Sequence, residues 1–271
     1  MGKKIGLALG GGAARGLAHI GVLNVLEREG IPVDLIAGTS AGAIVGALYA
    51  RHKNAAQIKE QVTALSKGRL TRFIDPALPR TGLIKGRKIS DQLVQFLGGN
   101  VKFSDLRIPF ACTATDIDTG EAVVLGRGSV IEAVRASMSI PGVFTLVKRG
   151  GRYLVDGRLT NPVPVNLVQE MGADFIIAVN VIPGVLDRFH PPVKKSPKST
   201  REPNIIHVLV QSIHIGAYSL VRSSLEKADV VIEPDVVHIG AAEFHRAREC
   251  IKLGEVAAQA AMPEIKSRIG G

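Results

Sequence analysis

The first fifty residues constrain the fold more than any other part of the chain. Ile5–Leu9 is a short apolar run ending in glycines, and it reads as a buried strand. Over Leu17–Arg28 the apolar residues Leu17, Ile20, Leu23, Val25 and Leu26 recur at helical spacing, and Gly30 and Pro32 stop that helix. Val33–Ala37 is a second strand. Ala41–Arg51 is a helix of small residues, apolar nearly all round, so it should be buried. Strand, helix, strand, helix in this order calls for parallel strands covered on both faces. The expected class is therefore α/β: three layers, with a mainly parallel central sheet and helices on either side.

The middle of the chain is less regular. Ala55–Leu65 and Ile89–Leu97 look helical, and Phe110–Thr115 reads as a strand that turns at Asp118–Gly120 into Ala122–Leu125. Ser129–Ser137 carries a capping box, Ser129 with Glu132 three residues on. Phe144–Val147 and Tyr153–Val155 flank Arg149-Gly150-Gly151, a hairpin signal. Phe175–Val181 is a strongly apolar strand. Residues 183–204 differ from the rest, with five prolines and five basic against two acidic side chains. Long loops of this kind are functional lids or linkers. A helix (Ile205–Leu225), a strand (Val230–Glu233) and a terminal helix (Ala241–Ile269, broken near Pro263) follow. The expected organisation is one domain over 1–271, with its motifs in about 5–182, a mobile loop over 183–204, and C-terminal helices and a strand over 205–271.

Composition excludes several classes. Hydrophobic residues make up 46% and charged residues 21%, which suits a packed globular chain. Aromatics are only 4% and Trp is absent, which argues against a stacking platform for single-stranded nucleic acid. The formal net charge of +10 fits an anionic partner. With no nucleic-acid motif present, an anionic membrane surface fits that charge better than nucleic acid does. Cys112 and Cys250 lie far apart and no His/Cys group has zinc spacing, so no metal is expected and a reducing compartment is the simple reading. The stretch after Lys3 and Lys4 is a poor signal peptide, interrupted by Gly10–Gly12 and Arg15. The longest uncharged run, Leu35–Ala50, falls short of the ~20 apolar residues of a membrane span. A cytoplasmic protein is expected, with peripheral membrane contact in reach of its charge.

The chemistry concentrates at two strand-to-helix turns. Gly38-Thr39-Ser40-Ala41-Gly42 is a G-x-S-x-G of the nucleophile-elbow type, in which a tight turn lifts the Ser hydroxyl to the carboxyl end of the sheet. The helix that starts there offers free N–H groups and a positive dipole end. One β-α unit earlier, Gly10-Gly11-Gly12-Ala13-Ala14-Arg15-Gly16 occupies the equivalent turn. In a parallel sheet both turns share one edge, where α/β proteins bind ligands. Its glycines let backbone N–H groups approach an oxyanion. A P-loop would need Gly-Lys-Ser/Thr where this loop has Arg15-Gly16-Leu17, and a dinucleotide fingerprint fails in both registers, so nucleotide binding is disfavoured.

A base is harder to read. None of the seven histidines, His19, His52, His190, His207, His214, His238 and His245, sits in an evident motif. Asp156, in Tyr153-Leu154-Val155-Asp156-Gly157-Arg158, follows an apolar strand and precedes a turn, which places it at a strand end. By itself it reads first as a turn aspartate bonded to its own backbone, and only second as a base.

Together, GGGAARG, GTSAG, ASMSIPGVF (Ala136–Phe144) and the Asp156-Gly157 pair resemble the patatin-like phospholipase family over roughly residues 5–182, and its small bacterial single-domain members in particular. The resemblance implies a modified α/β-hydrolase-type sheet and a Ser-Asp dyad lipid acyl hydrolase that needs no cofactor. It matches the nucleophile to Ser40, the dyad aspartate to Asp156, and the oxyanion hole to Gly11, Gly12 and Ala13. Gly10, Arg15, Gly16, Gly38, Gly42 and Gly157 complete its motifs. Two departures stand out. Ala13 replaces the third loop glycine. Arg158 follows the Asp-Gly pair, where the family has Gly or Ala. An Arg158 aimed at Asp156 would favour the ionised carboxyl and weaken the base. The substrate expected is a carboxylic ester of a lipid. The alternative is a patatin-fold regulatory or interaction protein with weak or no esterase activity. Loop 183–204 reads either as a flap that brings Phe189, Lys194, Lys195 and Lys198 to a lipid surface or as a solvated disordered loop.

Overall fold

A computed structural model describes residues 2–66, 75–78, 81–182 and 205–270. Loop 183–204, read as a flap or a solvated loop, lies outside the described residues. The opening alternation is present as β1 (Ile5–Leu9), α1 (Ala18–Arg28), β2 (Leu35–Thr39) and α2 (Ala41–His52), followed by α3 (Ala55–Ser66). Next come β3 (Gly82–Ile84), α4 (Arg87–Leu97), β4 (Phe110–Asp116), β5 (Ala122–Leu125) and α5 (Val130–Ser137). Then follow β6 (Gly142–Phe144), β7 (Val147–Arg149), β8 (Arg152–Asp156), α6 (Val165–Glu170) and β9 (Phe175–Val179). The last elements are α7 (Ile205–Leu225), β10 (Val230–Ile232) and α8 (Ala247–Gly270).

The central sheet runs β10-β9-β1-β2-β4-β8-β7, with β5 also on β4. From β10 to β4 every pairing is parallel, and β5, β8 and β7 add antiparallel strands at one side. The mainly parallel α/β architecture expected from the opening residues is therefore present. Ile5, Leu7 and Leu9 of β1 face the larger apolar cluster, which takes in Ile20, Leu23 and Leu26 of α1 and Leu48 and Tyr49 of α2. The opposite face is lined by small residues, Ala8, Ala37, Ala111 and Ala178, under Val163, Val165, Leu167 and Val168. Small side chains on this face let the segment around α6 lie close to the sheet. That close approach carries Asn161–Val163 up to the glycine loop after β1.

Helices α1 and α8 touch along their backbones. A Cβ on Gly21 would strike Ile251 O, and one on Gly254 would strike Ala18 O. The reciprocal glycines let the helices approach as no other residue would.

Three expectations need correction. Pro263 does not break the terminal helix: α8 runs through it. The bond lost is the one to Gln259 O, and both residues are exposed, while Ala258, Met262 and Ile265 stay buried and hold the helix down. That helix starts at Ala247 rather than Ala241, after a 3-10 turn over Phe244–Arg246. The hairpin around Gly150 forms between β7 and β8, but Phe144 belongs to neither: β6 pairs in parallel with β3 instead.

Candidate active site

The turn between β2 and α2 holds Ser40 at φ 54° and ψ −116°. Positive φ strains a non-glycine residue, and such strain clusters at functional sites. The flanking glycines make the turn sterically feasible. A Cβ on Gly38 would press on Gly42 O at 2.6 Å, and one on Gly42 would hit Leu9 O at the end of β1. Gly16 serves the same purpose beneath the turn, where a Cβ would meet the Ala41 side chain. Ser137, the last residue of α5, holds the elbow from the other side: the Ser40 N–H donates to Ser137 Oγ at 2.8 Å. The sequence reading missed this residue. Only the small residues Ala136, Ser137 and Ser139 hinted that α5 ends against something close.

Asp156 ends β8. Sheet register brings it to Ser40: Thr39 pairs with Thr113, and Asp156 pairs with Ala114, the next residue of β4. Serine and aspartate thus face each other across one strand, and the Ser40 hydroxyl donates to Asp156 Oδ2 at 2.7 Å. Both are buried, Ser40 at 3% exposure and Asp156 at 0%. The Asp156 backbone is pinned as well. Its N–H donates to Ser139 O at 2.9 Å, and its carbonyl accepts from Thr115 Oγ1 at 3.1 Å. Gly157 has no room for a side chain, since a Cβ would meet Thr113 O. Behind the pair, Thr39 Oγ1 donates to Asn161 O at 2.8 Å, so Thr113 Oγ1 must donate to Thr39 Oγ1 at 2.8 Å.

Arg158 points at Asp156 rather than at solvent. Its N–H donates to Asp156 Oδ1 at 2.9 Å, its Nε to Oδ1 at 3.2 Å, and its Nη2 to Oδ2 at 3.4 Å. Arg158 is itself 3% exposed. A buried ion pair of this kind is stable only when its hydrogen bonds are satisfied, as these are.

The glycine loop follows β1 at the same edge. The Gly10 N–H continues the sheet by donating to Val179 O at 3.0 Å. The Gly11 N–H donates to Pro162 O at 3.0 Å. That narrows the expected set of oxyanion donors, because the Gly11 donor is already used. Ala13 sits at φ 51°, a left-handed turn that directs the chain into the 3-10 segment Ala13–Leu17. Among the described residues, the Gly12 and Ala13 N–H groups have no acceptor. Arg15 turns away, donating from Nε to Ile239 O at 2.6 Å, and its Nη1 lies 3.4 Å from His214 Nε2. It anchors the loop to the C-terminal part of the chain.

The histidines scatter. His52 bonds Phe96 O, His238 bonds Glu249, and His19 bonds Gly10 O. His190 and the side chain of His207 lie outside the described residues. Ser40 therefore meets a carboxylate directly. Among the described residues, no group of three or more His, Cys, Asp and Glu could hold a metal ion, and no helix is long and apolar enough to cross a membrane. Cys112 is buried, and desolvation pushes its thiol up to about 12, so it stays protonated.

Residues 7–168 match the model of the patatin-like phospholipase family. The chain belongs to that family. Its relatives include an uncharacterized NTE family protein of Mycobacterium tuberculosis, 32% identical over 96% of this chain and 47% of that protein. The lysophospholipase NTE1 of Pyricularia oryzae is 31% identical over 93% of this chain and 18% of its own length. The neuropathy target esterase sws of Drosophila melanogaster is 36% identical over 66% of this chain and 13% of its length. The chain thus spans less than half the length of these relatives. Among solved structures, VipD from Legionella pneumophila matches with a TM-score of 0.52 at 12% identity, covering 97% of this chain and 67% of that one. The type III effector ExoU matches with a TM-score of 0.50 at 13% identity, covering 97% and 53%. These likenesses speak to the patatin fold alone.

Proposed function

We propose that this patatin-family chain is a serine acyl hydrolase that cleaves carboxylic esters of lipids through an acyl-enzyme. The observation that carries the reading is the direct 2.7 Å bond from the Ser40 hydroxyl to Asp156 Oδ2, beside two N–H groups that have no acceptor among the described residues. Ser40 Oγ attacks the ester carbonyl carbon and its proton passes to Asp156 Oδ2. The carbonyl oxygen gains the charge and accepts from the Gly12 and Ala13 N–H groups, where each donor is worth about 2.7–4 kcal/mol in the transition state. Collapse breaks the bond to the alcohol oxygen, which leaves with the proton held by Asp156. Water then attacks the acyl-enzyme, gives its proton to Asp156, and releases the acid with Ser40 restored. Lipid as the substrate class draws its support from the family, and the net charge of +10 supports an anionic lipid surface as the place of work.

The test is hydrolysis of monoacyl and diacyl phospholipids, simple esters and acyl-CoA by the wild-type chain and by Ser40→Ala, with fluorophosphonate labelling in parallel. Full activity in Ser40→Ala, or labelling at another residue, overturns the mechanism.

Arg158 favours a second reading, a regulatory or interaction protein with weak esterase activity. Its three bonds to Asp156 order the carboxylate, but they also compete for the lone pairs that must receive the proton. A correctly folded wild-type protein that turns over no ester supports that reading.

A further inference from the structure

One buried group remains unused by this chemistry. His19, the second residue of α1, is fully buried, yet a packing position of that kind is ordinarily filled by an aliphatic residue. Its Nε2 lies 2.7 Å from Gly10 O. A carbonyl can only accept, so Nε2 must carry a proton. Its Nδ1 has no partner among the described residues. Burial lowers the ring's pKa to about 4, so at neutral pH His19 is the Nε2–H tautomer with a bare Nδ1. Burying an imidazole with one nitrogen unsatisfied costs stability, and that cost calls for a compensating role.

The bond it makes falls on one particular peptide. Gly10 O and Gly11 N–H are the two polar ends of the Gly10–Gly11 peptide unit. His19 holds the first at 2.7 Å and Pro162 O holds the second at 3.0 Å. A planar peptide bonded at both ends cannot rotate about its flanking dihedrals without breaking one bond. Gly10, Gly11 and Gly12 otherwise have no side chains to fix them. The next two N–H groups along the chain are those of Gly12 and Ala13.

We infer that His19 is a positioning residue: by clamping the Gly10–Gly11 peptide against Pro162, it aims the Gly12 and Ala13 N–H groups at the ester oxyanion. The inference rests on the acyl-hydrolase reading above. Preorganised donors lose their effect steeply when misaligned, and an error of about 1 Å can cost 10²-fold in rate.

The experiment compares wild type, His19→Leu and His19→Gln, with p-nitrophenyl butyrate as substrate and a fluorophosphonate as the covalent probe of Ser40. Gln places a donor where Nε2 stands, and Leu keeps the bulk without the donor. His19→Leu is expected to lower kcat by about 10- to 100-fold with KM within twofold, and to slow labelling in parallel. His19→Gln is expected to recover most of that loss. Unchanged kcat in a folded His19→Leu, a loss confined to KM, or equal impairment in both variants overturns the inference and leaves His19 a packing residue. The wild type separates the two levels. A wild-type chain that neither hydrolyses nor labels overturns the functional reading, whereas an active wild type beside an undiminished His19→Leu overturns this inference alone. Nitrogen-15 NMR of the Ser40→Ala protein reads the clamp without activity: His19 should hold one Nε2–H tautomer from pH 8 to 5. Titration with an ordinary midpoint overturns the clamp.

Discussion

The stem of Arg158 lies against the bare Cα of Gly11: a Cβ at Gly11 would run into Arg158 Cγ and Cδ. One side chain thereby joins the glycine loop to the carboxylate that faces Ser40. Since the Gly11 N–H is held by Pro162 O, the need for glycine at this position comes from Arg158. Gly11→Ala should overpack the site and cost about 1–3 kcal/mol of stability. In an Arg158→Ala background the same change should cost far less, with a coupling of about 1 kcal/mol or more between the two sites. Urea denaturation of the four proteins measures it, and strict additivity would show that the two residues do not constrain each other.

The serine and the aspartate should separate when stability and activity are measured together. Ser40→Ala removes the proposed nucleophile but leaves the Arg158–Asp156 pair intact, so under the proposed mechanism hydrolysis should disappear while stability changes by about 1 kcal/mol or less. Asp156→Asn keeps the volume but strands the buried guanidinium of Arg158. Breaking a buried pair at one partner costs roughly 3–5 kcal/mol. Asp156→Asn should therefore lose hydrolysis and also melt well below Ser40→Ala. Equal melting temperatures would mean that Arg158 finds another partner or water.

How far the sequence was legible follows the range of the interactions. The β1–α1–β2–α2 order and Ser40 are carried by local periodicity and a motif a few residues long, whereas Asp156 entered as a partner only through the family resemblance; the structure places Ser40 and Asp156 in contact. Ser137 on the Ser40 N–H and Pro162 on the Gly11 N–H are not legible, because those pairings join segments 97 and 151 residues apart through nothing but backbone groups and a hydroxyl. Arg158 was legible as a departure, but its direction was not. The sequence pattern allowed solvent, and only the packing of its stem on Gly11 turns it to Asp156. Pro263 misled because a proline rule that holds for helix interiors acts weakly on an exposed helix face, where both Pro263 and Gln259 lie.

The crossing of α1 and α8 predicts a purely structural defect. Gly254→Ala would place a methyl on the Ala18 carbonyl and force the helices apart. The loss should be about 1–3 kcal/mol, offset only in part by the better helix propensity of Ala. Thermal unfolding should show a clear drop in Tm, while fluorophosphonate labelling at low temperature stays near wild type. Labelling that fails at low temperature would tie this crossing to the glycine loop.

His19 predicts the acid limb of stability. Its folded pKa of about 4 lies below the ordinary value of 6.5. The unfolded chain therefore binds a proton that the folded chain refuses throughout that interval, and stability falls as pH falls. The contribution is fully present above about pH 6.5, is lost progressively toward about pH 4, and changes no further below that. A shift of this size corresponds to about 3 kcal/mol. His19→Gln cannot titrate, so its stability between pH 6.5 and 4 should decline less steeply than that of the wild type by about that amount. Urea unfolding at half-unit pH steps for the two proteins gives the difference directly. Parallel curves across the interval would mean that His19 is charged in the folded protein, with Nδ1 partnered after all.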